Sequence, residues 1–204
     1  MIQLQLDPLV PAAYIGVWKR TLLRTPKIED TTSQVYWMQT QSWHADIRVA
    51  PSRPAFADKT ALDQLNHAEL LELARQQGFC GVTGLDGNVC RWLRRHDFQP
   101  PSGTSDIGRM EFDTPDRILE YGVEADYFEI RERVAGSCGE SSALRLSDDP
   151  LVLLLTTGSF FMIVRPRRSS CRRRHGFSLV RPSVRNKPPI VQLRGEPIVQ
   201  SQFR

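Results

Sequence analysis

The chain has 204 residues, which is enough for one substantial domain. Its net charge of +4 arises at one end, because eleven of the 27 Lys and Arg residues lie between Arg165 and Arg204, beside the single acid Glu196. Residues 1–164 therefore carry more acidic than basic side chains, which argues against nucleic-acid binding by the body of the protein.

The first part of the chain predicts three strands. Tyr14–Arg24 forms the first, and it places Trp18 and Arg20 on one face because side chains alternate with a period of two. Residues 33–40 are rich in β-formers and predict the second strand. Residues 43–49 alternate apolar and polar side chains, a pattern typical of a half-buried strand.

One helix follows these strands. Asn66 and Glu69 have the spacing of a capping box, and Gly78 suits the residue that ends a helix. The apolar stripe between them predicts a helix that packs on the body of the protein or covers it as a lid.

Short strands with turns between them continue to the end of the body. Asp86-Gly87 between two strand-like runs predicts a β-hairpin. Further strands are predicted at 107–112, 117–123, 127–134, 143–147, 151–156 and 160–164. About ten strands and one helix indicate a mainly β fold, an antiparallel barrel that closes to hide its edges.

The two ends of the chain differ from this body. Residues 1–13 form a short lead, and residues 166–204 form a basic tail of Arg, Pro and Ser with neither helical nor strand periodicity. This composition predicts disorder. Because the change at Arg165 is abrupt, we hypothesise a frame-shifted or otherwise non-native ending, which resequencing of the gene would test.

Two stretches of the body resemble one another when they are aligned without a gap. Trp18 aligns with Trp92, Arg20 with Arg94, and Asp46 stands opposite Glu120. The offset is the same for every pair. This internal duplication predicts one barrel over residues 14–165, built from two similar halves at about 14–64 and 79–165.

Five ordered blocks of the sequence carry a family resemblance. Gly16-Val17-Trp18 is the Gly-x-Trp entry of lipocalin-like barrels. The blocks are YIGVWKRTLL (14–23), DTTSQVYWMQT (30–40), ADIRV (45–49), GFCGVTGLDGNVCRW (78–92) and DFQPPSGTSDIGRMEF (97–112). They resemble uncharacterised bacterial lipocalin-like proteins that are similar to the fungal HRI-type, kinase-interacting protein. The resemblance covers roughly residues 14–165 and implies a lipocalin-like, calycin-type barrel, but no particular activity.

Aromatic and Arg side chains are the candidate site residues. In lipocalin-like barrels a Trp of this kind plugs the closed end, often against an Arg, so each Trp/Arg pair has a structural interpretation. In the alternative, an Arg points into the cavity and pairs with a ligand carboxylate or phosphate. The two pairs can stand at opposite ends of the barrel, or form one plug and one pocket. The candidates are Trp18, Arg20, Tyr36, Arg48, Trp92, Arg94 and Tyr121.

The sequence gives little support for catalysis. The four Cys include no Cys-x-x-Cys pair, the His residues lack metal-ligand spacing, and no Gly-x-Ser-x-Gly motif is present. Asp46 and Arg48 predict a surface ion pair, and Glu120 predicts a solvated acid. We therefore expect no catalytic residue, no metal and no cofactor.

These observations favour a non-enzymatic barrel that binds a small apolar or amphipathic ligand. The alternative is a protein–protein interaction module with a filled barrel and an exposed apolar patch. An enzyme that uses Arg48 and His96 ranks third, and a nucleic-acid binder ranks last. No segment approaches the ~20 apolar residues of a membrane helix, and residues 1–11 lack the pattern of a signal peptide, so we expect a cytoplasmic protein with no membrane partner.

Overall fold

The computed structural model describes residues 2–3, 9–53, 61–100, 103–146, 149 and 151–165. Its strands are β1 (Ile2–Gln3), β2 (Gly16–Arg24), β3 (Glu29–Asp30), β4 (Gln34–Gln39), β5 (Trp43–Val49), β6 (Gln77–Asp86), β7 (Val89–Asp97), β8 (Ile107–Thr114), β9 (Arg117–Gly122), β10 (Phe128–Arg133), β11 (Ser141–Arg145), β12 (Leu153–Thr157) and β13 (Phe160–Val164). Its helices are α1 (His67–Ala74) and the 3-10 turns Ala12–Tyr14 and Leu62–Gln64.

Eight antiparallel strands close into a barrel. Their order is β2-β4-β5-β6-β7-β8-β9-β10, and β10 pairs back with β2 to close the ring. The seam runs from Phe128 opposite Arg24 to Arg133 opposite Trp18. The short strand β3 adds to the edge of β2. The mainly β fold with a closed antiparallel barrel is confirmed, and it fits a lipocalin-like barrel.

A second sheet packs against the outside of the barrel. It has the order β1-β11-β12-β13, so the last three strands, expected to continue the barrel, lie outside it. Period-two alternation gives β2, β4, β5 and β6 an outward apolar face that meets this sheet. We call the resulting core the outer cluster: Val17, Tyr36, Met38, Trp43, Ala45, Cys80, Val82, Ala143, Leu153, Leu155, Met162 and Val164.

The helix begins as predicted and ends earlier. The Asn66 side chain accepts from the backbone N–H of Glu69, and the Glu69 carboxylate accepts from the backbone N–H of Asn66. Gly78 does not end the helix, since α1 stops at Ala74 and Gly78 lies inside β6. A side chain at Gly78 would come within 3.1 Å of the Asp46 carbonyl oxygen, so the close approach of β5 explains this glycine better than a helix cap does.

The predicted hairpin is confirmed between β6 and β7. Asp86 pairs with Val89 across the turn, and Gly87 has a φ of +58°, in the left-handed region that glycine adopts without strain. The helices of the described residues include none long and apolar enough to span a membrane.

The predicted duplication has a counterpart in the strand positions. At the offset that aligns Trp18 with Trp92, β2 overlaps β7, β4 falls within β8, and β5 covers β9. The domain boundaries and the duplication itself remain predictions. The basic tail, residues 166–204, lies outside the described residues.

Candidate functional site

One end of the barrel is closed by Arg133, which stacks on Trp18. The guanidinium carbon of Arg133 lies 4.0 Å from the Trp18 ring centroid, and the indole N–H of Trp18 donates to the Tyr14 carbonyl at 2.8 Å. Arg133 also donates to Asp116 and to the carbonyls of Ile15, Ala13 and Pro115. The cation–π partner of Trp18 is thus supplied by the last barrel strand and not by Arg20.

Gly16 leaves room for this closure. Its φ is +144°, and a Cβ atom there would lie 2.8 Å from the Arg133 guanidinium and 3.2 Å from the Ser137 hydroxyl. Any larger residue would therefore displace the side chain that covers Trp18. The Gly of the Gly-x-Trp motif is therefore needed because a side chain at Gly16 would collide with Arg133, which packs on the Trp.

The rings of Trp18, Trp37 and Trp92 form a layer at the closed end of the barrel, which we call the floor. Trp37 stacks on Trp18 with ring centroids 6.3 Å apart and meets Trp92 edge to face at 5.5 Å. The Trp residues of the two predicted halves therefore contact the same ring, and they belong to one buried cluster with Phe79 and Met110. Such aromatic contacts contribute roughly 0.5–1.5 kcal/mol each beyond the area that they bury.

A cavity of about 280 Å³ lies above this floor. This volume is close to the lower end of the range of small-molecule sites. Rings of Trp37, Phe79 and Trp92 line one part of it, and the residues that line the rest are mainly charged: Arg20, Arg48, Arg131, Asp46, Asp106, Glu120, Asp126 and Glu129, with Leu23, Thr25, Ala125 and Tyr127. The cavity is therefore amphipathic.

Four of these eight charged residues belong to a continuous chain of ion pairs and one hydrogen bond, which we call the charge network: Asp30, Arg20, Glu129, Arg131, Glu120 and Tyr127. Arg20 joins Asp30 at 2.8 Å to Glu129 at 3.0 Å. Arg131 joins Glu129 at 2.5 Å to Glu120 at 2.6 Å, and the Tyr127 hydroxyl donates to Glu120 at 2.8 Å. Acids and bases alternate, so each guanidinium bridges two carboxylates.

The network is buried at its centre. Arg131 is 3% exposed and Glu120 is 2% exposed, so both ions have left water. Removing an ion from water costs several kcal/mol, and pairing with hydrogen bonds must offset that cost. Gly108 provides the space, since a Cβ atom there would lie 3.1 Å from both the Glu120 carboxylate and the Tyr127 hydroxyl.

Burial and pairing shift the pKa values of the network. Burial raises the pKa of Glu120, although the Arg131 charge opposes this shift. Burial, together with the nearby Glu120 charge, raises the pKa of Tyr127, so its hydroxyl stays protonated and can donate. Burial acts to lower the pKa of Arg131, but Glu120 and Glu129 raise it above its ordinary value.

Two buried N–H groups at the cavity have no hydrogen-bond partner in the protein. They are Nη1 of Arg131 and Nε1 of Trp37, on side chains that both line the cavity. The Arg131 guanidinium carbon lies 5.6 Å from the Trp37 ring centroid, so the two side chains are neighbours. Buried donors are almost always paired, and Trp43 in the outer cluster also has an unpaired Nε1, so the particular feature of the cavity is that two unpaired donors lie on neighbouring side chains that line it.

The structure places four of the seven candidate residues at the floor or the cavity. Trp18 belongs to the closed end, while Arg20, Arg48 and Trp92 line the cavity. The Asp46–Arg48 ion pair exists at 2.7 Å, but Asp46 is 2% exposed, so the pair lies in the barrel wall facing inward and not on the surface.

The other three candidates lie elsewhere. Tyr36 belongs to the outer cluster, between the barrel and the second sheet. Tyr121 packs on Phe128, with Arg109 over its ring at 4.2 Å, and is not among the residues that line the cavity. Arg94 lies at the rim over Phe79 and lines a separate surface groove of about 740 Å³ along β7. Arg20 and Arg94 therefore do not line the same cavity.

Sequence reasoning missed the central residues Glu129, Arg131 and Tyr127, and it placed Glu120 in solvent. Alternating charges on a strand normally indicate a water-facing side, and β10 carries such an alternation. One usable signal was present, because the predicted duplication aligns Asp46 with Glu120, and both are buried acids inside the barrel.

The described residues hold no cluster of three or more His, Cys, Asp or Glu side chains that could bind a metal ion. No family model, no curated protein and no solved structure matches this chain. The geometry of the cavity is therefore the basis for any functional interpretation.

Proposed function

We propose that the barrel binds a small amphipathic molecule in its cavity. The observation that carries this proposal is the composition of the cavity wall, in which aromatic rings and paired charges surround about 280 Å³ of space. A core needed only for stability would favour apolar side chains, since a buried ion pair is often no more stabilising than a well-packed apolar replacement. The charged side chains therefore support a role in recognition.

We also propose that the protein is related to the lipocalin-like bacterial proteins that its sequence resembles. Gly16-Val17-Trp18 on the first barrel strand, with Arg133 over the Trp18 ring, supports that kinship. The alternative of an interaction module with an exposed apolar patch, and the expected cytoplasmic location, stay predictions from the sequence.

A substitution at the mouth of the cavity tests the proposal. Ala125 is exposed and lines the cavity, so Ala125→Trp would obstruct the entrance without altering the core. Val123 is 50% exposed in the same connection and does not line the cavity, so Val123→Trp is the matched control. The probe is 2-naphthol, whose fluorescence reports its transfer from water.

We expect saturable 2-naphthol binding to the wild-type protein and to Val123→Trp, and about tenfold weaker binding to Ala125→Trp, because tenfold corresponds to roughly 1.4 kcal/mol of lost contact. Native mass spectrometry of freshly purified protein would add the mass of any retained molecule. Equal affinities for the two variants, or no saturable binding to the wild type, would contradict the proposal.

A further inference from the structure

We infer that the molecule bound in the cavity is uncharged and presents a hydrogen-bond acceptor, such as a carbonyl oxygen, to Arg131 and Trp37. This inference rests on the proposed function and narrows its ligand class. Arg131 uses Nε for Glu120 and Nη2 for Glu129, which leaves Nη1 as a donor without a protein partner. Trp37 adds a second such donor.

The unpaired donors require an acceptor. A guanidinium and an indole can donate hydrogen bonds but cannot accept them, so a ligand group that itself only donates would leave both N–H groups unpaired. A buried polar group without a partner destabilises the protein, so a ligand that accepts hydrogen bonds from these donors recovers free energy that an apolar ligand does not.

The charge of the cavity selects against an anion. Five acids line it against three guanidinium groups, namely Arg20, Arg48 and Arg131. Each of these three groups already pairs with at least one of the acids, and Arg131 pairs with two. Asp106 pairs in turn with Arg94 at 2.6 Å, so the cations at the cavity are already engaged by carboxylates. An anionic ligand would therefore lose its hydration without gaining a free cationic partner, whereas a neutral acceptor has only the smaller cost of desolvating a dipole.

The aromatic rings determine the rest of the ligand. Trp37 and Trp92 meet edge to face beside Phe79, which offers flat apolar surface next to the two donors. Offset stacking and edge contacts favour a planar ring in this position. The ligand class is therefore a flat, neutral molecule with one acceptor near the edge of its ring.

Three probes of one shape test the inference. 2-Naphthamide is neutral and has a carbonyl acceptor, 2-naphthoate carries the same oxygen as an anion, and 2-methylnaphthalene has no acceptor. Ligand-observed NMR titrations give the three affinities for the full chain. We expect 2-naphthamide to bind at least about tenfold more tightly than either of the others, as one satisfied pair of donors would give.

Trp37→Phe and Trp43→Phe form a matched pair of variants. Both Trp residues are buried and carry an unpartnered Nε1, but Trp43 belongs to the outer cluster and does not line the cavity. We expect Trp37→Phe to reduce the preference for 2-naphthamide over 2-methylnaphthalene by about fivefold to tenfold. Trp43→Phe should leave that preference within about twofold, as expected for a site that shares no partners.

The outcomes separate this inference from the proposed function. If 2-methylnaphthalene binds as tightly as the amide, or the anion binds best, the cavity binds ligands but the inferred class is wrong. If none of the three probes binds but 2-naphthol does, the inference fails and the proposed function stands, and if 2-naphthol does not bind either, both fail. Should Trp37→Phe not fold, Arg131→Lys replaces it, since Lys keeps the charge and loses the fork of donors.

Discussion

The outer cluster and the barrel interior lie on opposite faces of the same strands and differ in composition. The outer cluster is apolar, whereas the cavity inside the barrel is lined by charged as well as aromatic side chains. Along β5, Ala45 faces outward into an apolar layer closed by the second sheet, while Asp46 faces inward toward the charge network. Both are nearly inaccessible to water. Apolar packing suffices for stability on the outside, so the buried ions inside need another explanation, and ligand recognition provides one.

The largest expected effect comes from breaking the centre of the charge network. Arg131→Met leaves Glu120 buried without a guanidinium partner and Glu129 paired with Arg20 alone. We expect the free energy of unfolding to fall by about 3–5 kcal/mol, the usual cost of an uncompensated buried charge. Urea unfolding measures it. Adding Glu120→Gln should restore much of the loss, because Glu129 keeps Arg20 as its partner, and no recovery would mean that packing, not charge, is responsible.

The outer cluster should respond to loss of volume instead. Leu155→Ala removes a fully buried side chain from β12, and we expect a loss of about 2–5 kcal/mol from the lost apolar contact and the cavity left behind. The 2-naphthol affinity of the folded protein should stay unchanged. A weakened affinity would show that the two cores are coupled, contrary to their separation in the structure.

The barrel interior should also be the acid-sensitive core. Burial, aided by the positive charge of Arg94, lowers the pKa of His44 from 6.5 to about 3. The unfolded chain then takes up a proton that the native protein does not, so this contribution to stability is complete above pH 6.5 and is lost as the pH falls toward 3.

Histidine NMR should show no protonation of His44 between pH 5 and 8. The free energy of unfolding of His44→Gln should fall less than that of the wild type over the acid range, by on the order of a few kcal/mol. Titration of His44 near its ordinary pKa would disprove the expected burial effect.

The smallest effect compares the two cores by thiol reactivity, without any substitution in either of them. Burial raises the pKa of Cys80, in the outer cluster, and of Cys90, inside the barrel. Because the thiolate is the reactive form, a thiol reagent should modify both only on unfolding, whereas exposed Cys138 should react in the native protein. Peptide mapping by mass spectrometry identifies the order, and early labelling of Cys90 would mean that the barrel opens.

Much of the fold could be read from local patterns. β5 and β13 begin and end at the predicted residues, as the alternation at Trp43–Val49 and the run Phe160–Val164 indicated. The cap at Asn66 and the hairpin at Gly87 depend on neighbours within a few residues, so the sequence contained the whole of each signal.

The site was harder to predict because a barrel has two buried faces. On an open sheet, the polar face of β5 would meet water, and Asp46 with Arg48 would be a surface pair. Closure by β10 against β2 turns that face inward and brings Glu129 and Arg131 beside it from a strand much later in the chain. The residue pattern of β5 alone does not indicate that closure, since the pairing that closes the barrel is between two other strands.

The sequence by itself determined the strands, the capped helix, the hairpin and the aromatic residues at the closed end, because each depends on spacing along the chain. Only the tertiary structure decided which face of each strand became the cavity, which Arg covers Trp18, and which strands left the barrel to form the second sheet. Those outcomes depend on contacts such as Trp18–Arg133, whose partners stand on the first and last barrel strands and meet only when the barrel closes.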